Sequence, residues 1–355
     1  MSDDDSQSFF LGIAEADATV DSSQLAYSHP FAELSPELVI DAIESTGRLS
    51  DLRVLALNSY ENRVYQIGIE PSATEKGDPL IAKFYRPERW SDAQILEEHA
   101  FSLQLAENEL PVVAPLQNEN GETLFRFRDF RFALFPRRGG QAPDLDNPDN
   151  QLMLGRLMAR LHAIGATESY QVRPALDIKT FGRDSYEFIA NNCLKGDLLR
   201  AYSTLCEDLL ARIENIFSQV KPKLIRTHSD CHVGNILSRE QLCFFVDLDD
   251  SRMTPAIQDL WMLLSGERHE RIAQLSEILE GYNEFYDFDV RELALIEALR
   301  TLRLMHFAAW IARRWQDPAF PLAFPWFGSE RYWAEHILEL REQLAALDEP
   351  PLAIF

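Results

Sequence analysis

The chain has 355 residues, enough for a large core divided between two lobes, and its 46% hydrophobic and 26% charged residues are those of a globular protein rather than a disordered one. Its 57 acidic against 34 basic residues give a net charge of −23, which disfavours nucleic acid and anionic membrane as partners. An anionic substrate must then be met by local arginines, lysines and bound metal. The start, Met-Ser-Asp-Asp-Asp, is the reverse of a basic secretory signal, and no apolar run reaches the roughly 18 residues of a membrane span, so a cytoplasmic location is expected. Cys193, Cys206, Cys231 and Cys243 form no Cys-x-x-Cys pair and are expected as reduced thiols.

Residues 1–30 are rich in Asp, Ser and Ala without periodicity, and a mobile acidic tail is expected there. Ser35 followed by Pro36 and Glu37 reads as the cap and first turn of a helix over 36–43. Strand-like runs at 53–57 and 64–69 flank the polar turn 58–63, and a third strand over 80–85 stops at Pro87. A helix over 94–105 and strands over 123–127 and 130–135 complete a small antiparallel sheet with one main helix. Beyond a hinge at 136–148 containing Gly139 and Gly140, helical patterns dominate: 152–163, 186–191, 198–220, 259–264, 272–282, 291–314 and 332–347. The predicted fold is α+β and bilobal, with a strand-rich lobe over 31–136 and a larger helical lobe over 137–355.

One segment interrupts the helical half. Two apolar runs, Leu224-Ile225 and Phe244-Phe245-Val246, read as short strands and bracket a loop holding Asp230 and, five positions later, Asn235; the second run ends on Asp247. In-line phosphoryl transfer from a nucleotide needs one carboxylate to orient the acceptor hydroxyl and accept its proton. It also needs oxygen ligands on neighbouring loops to hold magnesium against the phosphates. Asp230 fits the first role, and Asn235 with Asp247 fits the second.

The order His228-x-Asp230-x-x-x-x-Asn235, then Asp247 twelve residues later, resembles the catalytic loop and metal-binding Asp of the protein-kinase-like superfamily, closest to its aminoglycoside phosphotransferase and choline kinase branch. On that resemblance Lys83 is the strand lysine that meets the α- and β-phosphates, and Glu98 the helix glutamate that pairs with it, with Glu97 an alternative because sequence fixes helical phase loosely. Ser59 occupies the place of the phosphate-covering loop but lacks the Gly-x-Gly-x-x-Gly pattern. Asp259 is expected to hydrogen-bond the catalytic-loop backbone. His228 is expected to be structural, and Cys231 a packing residue rather than a redox switch.

The runs Asn58 to Tyr65, Lys83 to Trp90, His228 to Asn235, Phe245 to Asp250 and Arg313 to Pro321 narrow the match to the bacterial stress response kinase A family, over about residues 30–351. The resemblance implies an ATP- and magnesium-dependent serine/threonine protein kinase of a bacterial stress response. Ser59 would then contact ATP, Asp230 accept the proton, and Asn235 and Asp247 bind magnesium, Asp247 thereby serving catalysis, with Asp249 an auxiliary. Adenine is expected near residues 133–135. Protein Ser/Thr hydroxyls, the chain's own included, are the expected acceptors. The other readings are a small-molecule phosphotransferase of the same fold, a nucleotide-binding pseudokinase, and a metal-dependent hydrolase ligating metal through His228, Asp230 and His232. Arg303, His306, Trp310, Arg313 and Trp315 share one helix and read either as a core face with snorkelling arginines or as the wall of an acceptor groove.

Overall fold

The computed structural model describes residues 29–72, 76–239 and 242–354. The acidic tail expected over 1–30 therefore lies, up to residue 28, outside the described residues.

The smaller lobe begins with α1 (Pro36–Glu44), where Ser35 accepts from the Leu38 amide and Pro36 sets the first turn, as the sequence predicts. Five strands follow: β1 (Ser50–Leu57), β2 (Arg63–Ile69), β3 (Leu80–Phe84), β4 (Phe125–Phe127) and β5 (Phe130–Pro136). They form one antiparallel sheet in the order β1-β2-β3-β5-β4. Alternation divides its faces. Ala82, Phe84, Phe132 and Leu134 join Leu38, Val39 and Ile43 of α1 in one apolar cluster. Lys83 and its register partner Ala133 point the other way, toward α2 (Asp92–Glu107) and the cleft. A capping box between Ser91 and Gln94 starts α2.

After β5 the chain pairs briefly with the larger lobe through Gln141 and Ser238, whose backbones exchange two hydrogen bonds. Gly140 permits that approach, since a Cβ there would lie 2.9 Å from the Leu237 Cβ. The larger lobe holds α3 (Pro148–Gly165), α4 (Asp184–Asn192), α5 (Gly196–Val220), α6 (Ile257–Trp261), α7 (Arg268–Tyr282), α8 (Ile296–Arg313), α9 (Ala319–Ala323) and α10 (Glu330–Ala346) around one large apolar core. Two ribbons interrupt them: β6 (Ile225–Thr227) with β9 (Arg252–Thr254), and β7 (Ile236–Arg239) with β8 (Leu242–Phe245).

Several boundaries differ from the sequence reading for local reasons. α3 starts at Pro148 rather than 152 because Asn147 caps it and a proline is tolerated in the first turn. The helix expected over 291–314 is split: Asp289 caps a tighter turn over Val290–Leu295, and Glu292 there turns inward to accept from the Ile257 amide. Strand β9 and helix α9 were not expected. Arg-Met-Thr has no apolar alternation, and five residues are too few to show helical period.

Candidate active site

The loop between β6 and β7 is held from beneath. Asp259, on the short helix α6, accepts from the backbone amides of His228 at 2.8 Å and Ser229 at 2.6 Å, and its carboxylate also meets His162 Nε2 at 3.0 Å. Asp259, His228, Ser229 and His162 are all buried, so these backbone donors are satisfied by a buried carboxyl group rather than by water. Gln258 adds a bond to the Ser229 carbonyl, where the backbone takes a left-handed turn at φ 71°. His228 Nε2 lies 2.9 Å from the Val246 carbonyl, which ties this loop to the one that follows β8. The imidazole is therefore a strut, and the thiol of buried Cys231, pushed well up by burial, is a packing group.

That scaffold leaves Asp230 at the cleft, its side chain 24% exposed. Its backbone carbonyl accepts from Asn235 Nδ2 at 2.9 Å, and the Val246 amide donates to the Asn235 carbonyl at 3.0 Å. Those bonds fix the Asn235 backbone against Val246, just before the 247–250 loop. Asp247 there is left-handed, at φ 59° and ψ 64°, a conformation Asp tolerates better than most side chains. Its carboxylate is 54% exposed. With Asn235 Nδ2 committed to the Asp230 carbonyl, the Asn235 amide oxygen and the Asp247 carboxylate are the hard oxygen donors of these two loops that could hold a divalent cation. The rival transition-metal reading gains no such support: among the described residues no group of three His, Cys, Asp or Glu side chains is placed to hold a metal.

Lys83 crosses the cleft to the same loop. Its Nζ lies 2.6 Å from Asp247 Oδ1 and 3.4 Å from Asp249 Oδ1; burial alone would lower its pKa, but the two carboxylates hold the ammonium well above its usual range. This revises the expected Lys83–Glu98 pair. Glu98 is inside the lobe, with its Oε2 3.8 Å from His99 Nε2, and burial pushes its carboxyl up to about 7 against the attraction of Arg173 and Lys83. The helical phase is settled by the alternative: Glu97 faces outward and accepts from the amides of Gln171, Val172 and Arg173, so it is spent on a loop.

Asp249, expected as an auxiliary metal ligand, is buried, with donors on Oδ2 and its Oδ1 3.4 Å from Lys83 Nζ without a hydrogen bond. Asn62 Nδ2 reaches Asp249 Oδ2 at 3.1 Å, the Arg89 guanidinium bonds the same oxygen, and Arg173 Nη2 donates to the Asp249 backbone carbonyl at 2.6 Å. Ser59 lies in the turn between β1 and β2, where its hydroxyl donates to the Asn62 carbonyl at 3.1 Å and closes the turn. Ser59 thus shapes the loop, while Asn62 anchors it to the opposite lobe. A second set of ties runs alongside: Glu61 to Arg86 at 3.1 Å and Arg314 at 2.7 Å, and Asp317 to Arg63 at 3.0 Å and Arg86 at 2.5 Å.

Asn62, Arg89, Arg173 and Arg303 are the members of the site that sequence reasoning missed or left open. Arg303, on α8, places Nη1 2.5 Å from Asp230 Oδ1. Burial would raise the Asp230 carboxyl, but the Arg303 charge, aided by His232, outweighs it and holds the group below its usual range. A carboxylate kept ionised at the mouth of a cleft, across from a lysine and an oxygen-donor set, is an arrangement for proton acceptance beside bound phosphate.

Residues 53–296 match the model of the phosphotransferase enzyme family, and with this two-lobed fold and cleft the chain is a phosphotransferase. Two solved structures show the same fold. The amicoumacin kinase hAmiN in complex with AMP-PNP, Ca2+ and Ami superposes with TM-score 0.63 at 19% identity, over 86% of this chain and 91% of that one. A microcompartment-associated aminopropanol kinase gives 0.61 at 16%, over 88% and 96%. Curated relatives are much nearer in sequence. Stress response kinase A of Escherichia coli O157:H7 is 43% identical over 329 residues, 91% of this chain and 97% of that protein. The serine/threonine protein kinase RdoA of Salmonella typhimurium strain LT2 is 42% identical over the same shares. The chain belongs to the stress response kinase A family.

Proposed function

We propose that the protein transfers the γ-phosphoryl group of ATP to a protein Ser or Thr hydroxyl, with magnesium, in a bacterial stress response. The observation that carries this reading is Asp230 held ionised at the cleft, facing the lobe from which Lys83 reaches Asp247. The names and near-full-length identity of the relatives support the protein acceptor.

In this reading Lys83 exchanges its Asp247 contact for the α- and β-phosphates, and Glu98 supplies compensating charge behind it. The turn 58–62, braced by Ser59 and anchored through Asn62, covers the phosphates with backbone donors. Adenine lies against the 133–135 edge of β5. Asn235 and Asp247 would hold magnesium, which when bound would neutralise charge on the phosphates. Asp230 Oδ2, the oxygen not bonded to Arg303, orients the acceptor hydroxyl and takes its proton as the new O–P bond forms and the bond to the leaving ADP oxygen breaks.

The test is incubation with γ-labelled ATP, comparing autophosphorylation and Ser/Thr peptides with amino alcohols, sugars and antibiotics. Label on peptides or on the chain itself, lost in Asp230→Asn, is the expected result. Label confined to a small molecule would replace the protein acceptor by the small-molecule reading, toward which the names of the fold neighbours lean.

A further inference from the structure

Helix α8 lays a half-buried stripe along the acceptor side of the cleft. Arg303, Phe307, Trp310 and Arg314 recur at helical spacing, so they lie on one face. At one end of that stripe Arg303 meets the proton-accepting Asp230; at the other Trp310 and Arg314 bond Glu61 on the turn above the phosphate site. The stripe therefore runs from Asp230 to that turn beside the gap between the lobes, with Phe307 and Trp310 packed against Phe324.

The charges along that gap have a definite sign. Its carboxylates are already answered by arginines: Glu61 by Arg86 and Arg314, and Asp250 by Arg89 at 2.7 Å and Arg252 at 3.5 Å. Asp230 itself carries the Arg303 guanidinium at 2.5 Å. An ammonium acceptor would find no unpaired carboxylate among these groups, and at Asp230 it would face a fixed like charge within a few ångströms. Arg303 remains 32% exposed, and Asp230 uses only one edge of a planar fork that carries five N–H donors. The remaining donors are what an anionic group beside the reacting hydroxyl would bind.

We propose that Arg303 is the acceptor-selecting residue of this site, and that the acceptors are Ser or Thr hydroxyls flanked by a carboxylate-bearing side chain rather than by a basic one. This rests on the protein-kinase reading above and extends it to the sequence context of the phosphorylated residue. The same guanidinium binds the acceptor's carboxylate and holds Asp230 in place, so the anionic neighbour and the proton acceptor are fixed by one group on one helix.

The experiment compares kcat/KM for two otherwise identical serine peptides flanked by glutamate or by lysine, and for glycerate against ethanolamine, in wild type, Arg303→Lys and Arg303→Glu. Because loss of Arg303 also disturbs Asp230, every variant should lose kcat; the ratio between acceptors cancels that common loss. Wild type should favour the glutamate peptide by about tenfold or more, Arg303→Lys should keep the sign of the preference, and Arg303→Glu should reverse it. ATP-dependent thermal protection checks that each variant is folded; if Arg303→Glu is not, Arg303→Met should bring the ratio close to one. Equal use of both peptides, preference for lysine, or a ratio unchanged by every substitution overturns the inference. If neither peptide is labelled, the protein-acceptor reading falls alone: transfer to glycerate over ethanolamine still upholds the role of Arg303, and the opposite order, or no transfer to glycerate, removes it.

Discussion

Replacing Glu98 by glutamine probes the buried charge behind Lys83. The Glu98 carboxyl faces Lys83 and Arg173, which favour its ionised form, and Asp247 and Asp249, which oppose it; burial dominates and pushes it from 4.5 up to about 7. Between those values the folded protein holds a proton that the unfolded chain has released. The contribution of Glu98 to stability must therefore fall as pH rises from about 4.5 to about 7, and level off above. At about 1.36 kcal/mol per pH unit, that displacement is worth about 3 kcal/mol. Other groups act in the same window: His99, pushed from 6.5 down to about 3 by burial, makes stability rise with pH there, and Glu292, pushed up to about 7, makes it fall, so only the difference between the two proteins isolates Glu98. Glutamine keeps the shape but cannot ionise. Urea unfolding of both proteins from pH 4.5 to 8, without nucleotide, should show a gap that opens from near zero to about 3 kcal/mol in favour of Glu98→Gln. The same variant should transfer phosphoryl groups more slowly, because Lys83 loses its supporting charge once it turns to phosphate. A stability gap that stays constant across pH would refute the buried, proton-binding state of Glu98.

The remaining expectations concern the loops that meet at the cleft. Asp230→Asn should lower kcat about 10²–10⁴-fold with nucleotide affinity nearly unchanged, as seen by single-turnover kinetics and nucleotide titration, since the residue meets the acceptor and not the phosphates. Asp247→Asn should weaken magnesium-dependent nucleotide binding; a titration matching wild type would remove Asp247 from the metal set. Asp259→Ala should cost about 3 kcal/mol in urea unfolding, because it strands two buried backbone amides and leaves His162 Nε2 without its carboxylate. A loss below 1 kcal/mol would mean the catalytic loop holds its shape unaided.

What the sequence disclosed was what a short stretch of chain determines for itself. The Ser35-Pro36 helix start, the alternation that sets Lys83 opposite Ala82 and Phe84, and the Asp230, Asn235 and Asp247 spacing each depend on neighbours a few residues away. Helical phase was the first thing lost. Glu97 and Glu98 are adjacent, and only the packed lobe shows that one caps a loop while the other is buried. The arginines were lost more completely, because a guanidinium is defined by its partner and these partners are remote: Arg173 meets Asp249 across 76 positions, Arg303 meets Asp230 across 73, and Arg89 meets Asp249 across 160.

Those remote pairs also change what the overall charge means. A chain of net charge −23 invites the expectation of a cleft that draws cations. Exposed charges act only over about 8–10 Å at ordinary ionic strength, whereas Arg303 stands 2.5 Å from Asp230, the carboxylate proposed to meet the acceptor. Acidic groups beyond that range are screened from it. Arg89, Arg252, Arg86 and Arg314 neutralise the nearer carboxylates at the cost of most of the local positive charge, and Arg303 is the guanidinium left partly exposed beside Asp230. The acceptor's polarity is thus decided by one helix position, and exchanging it should invert the preference without altering the nucleotide half of the site.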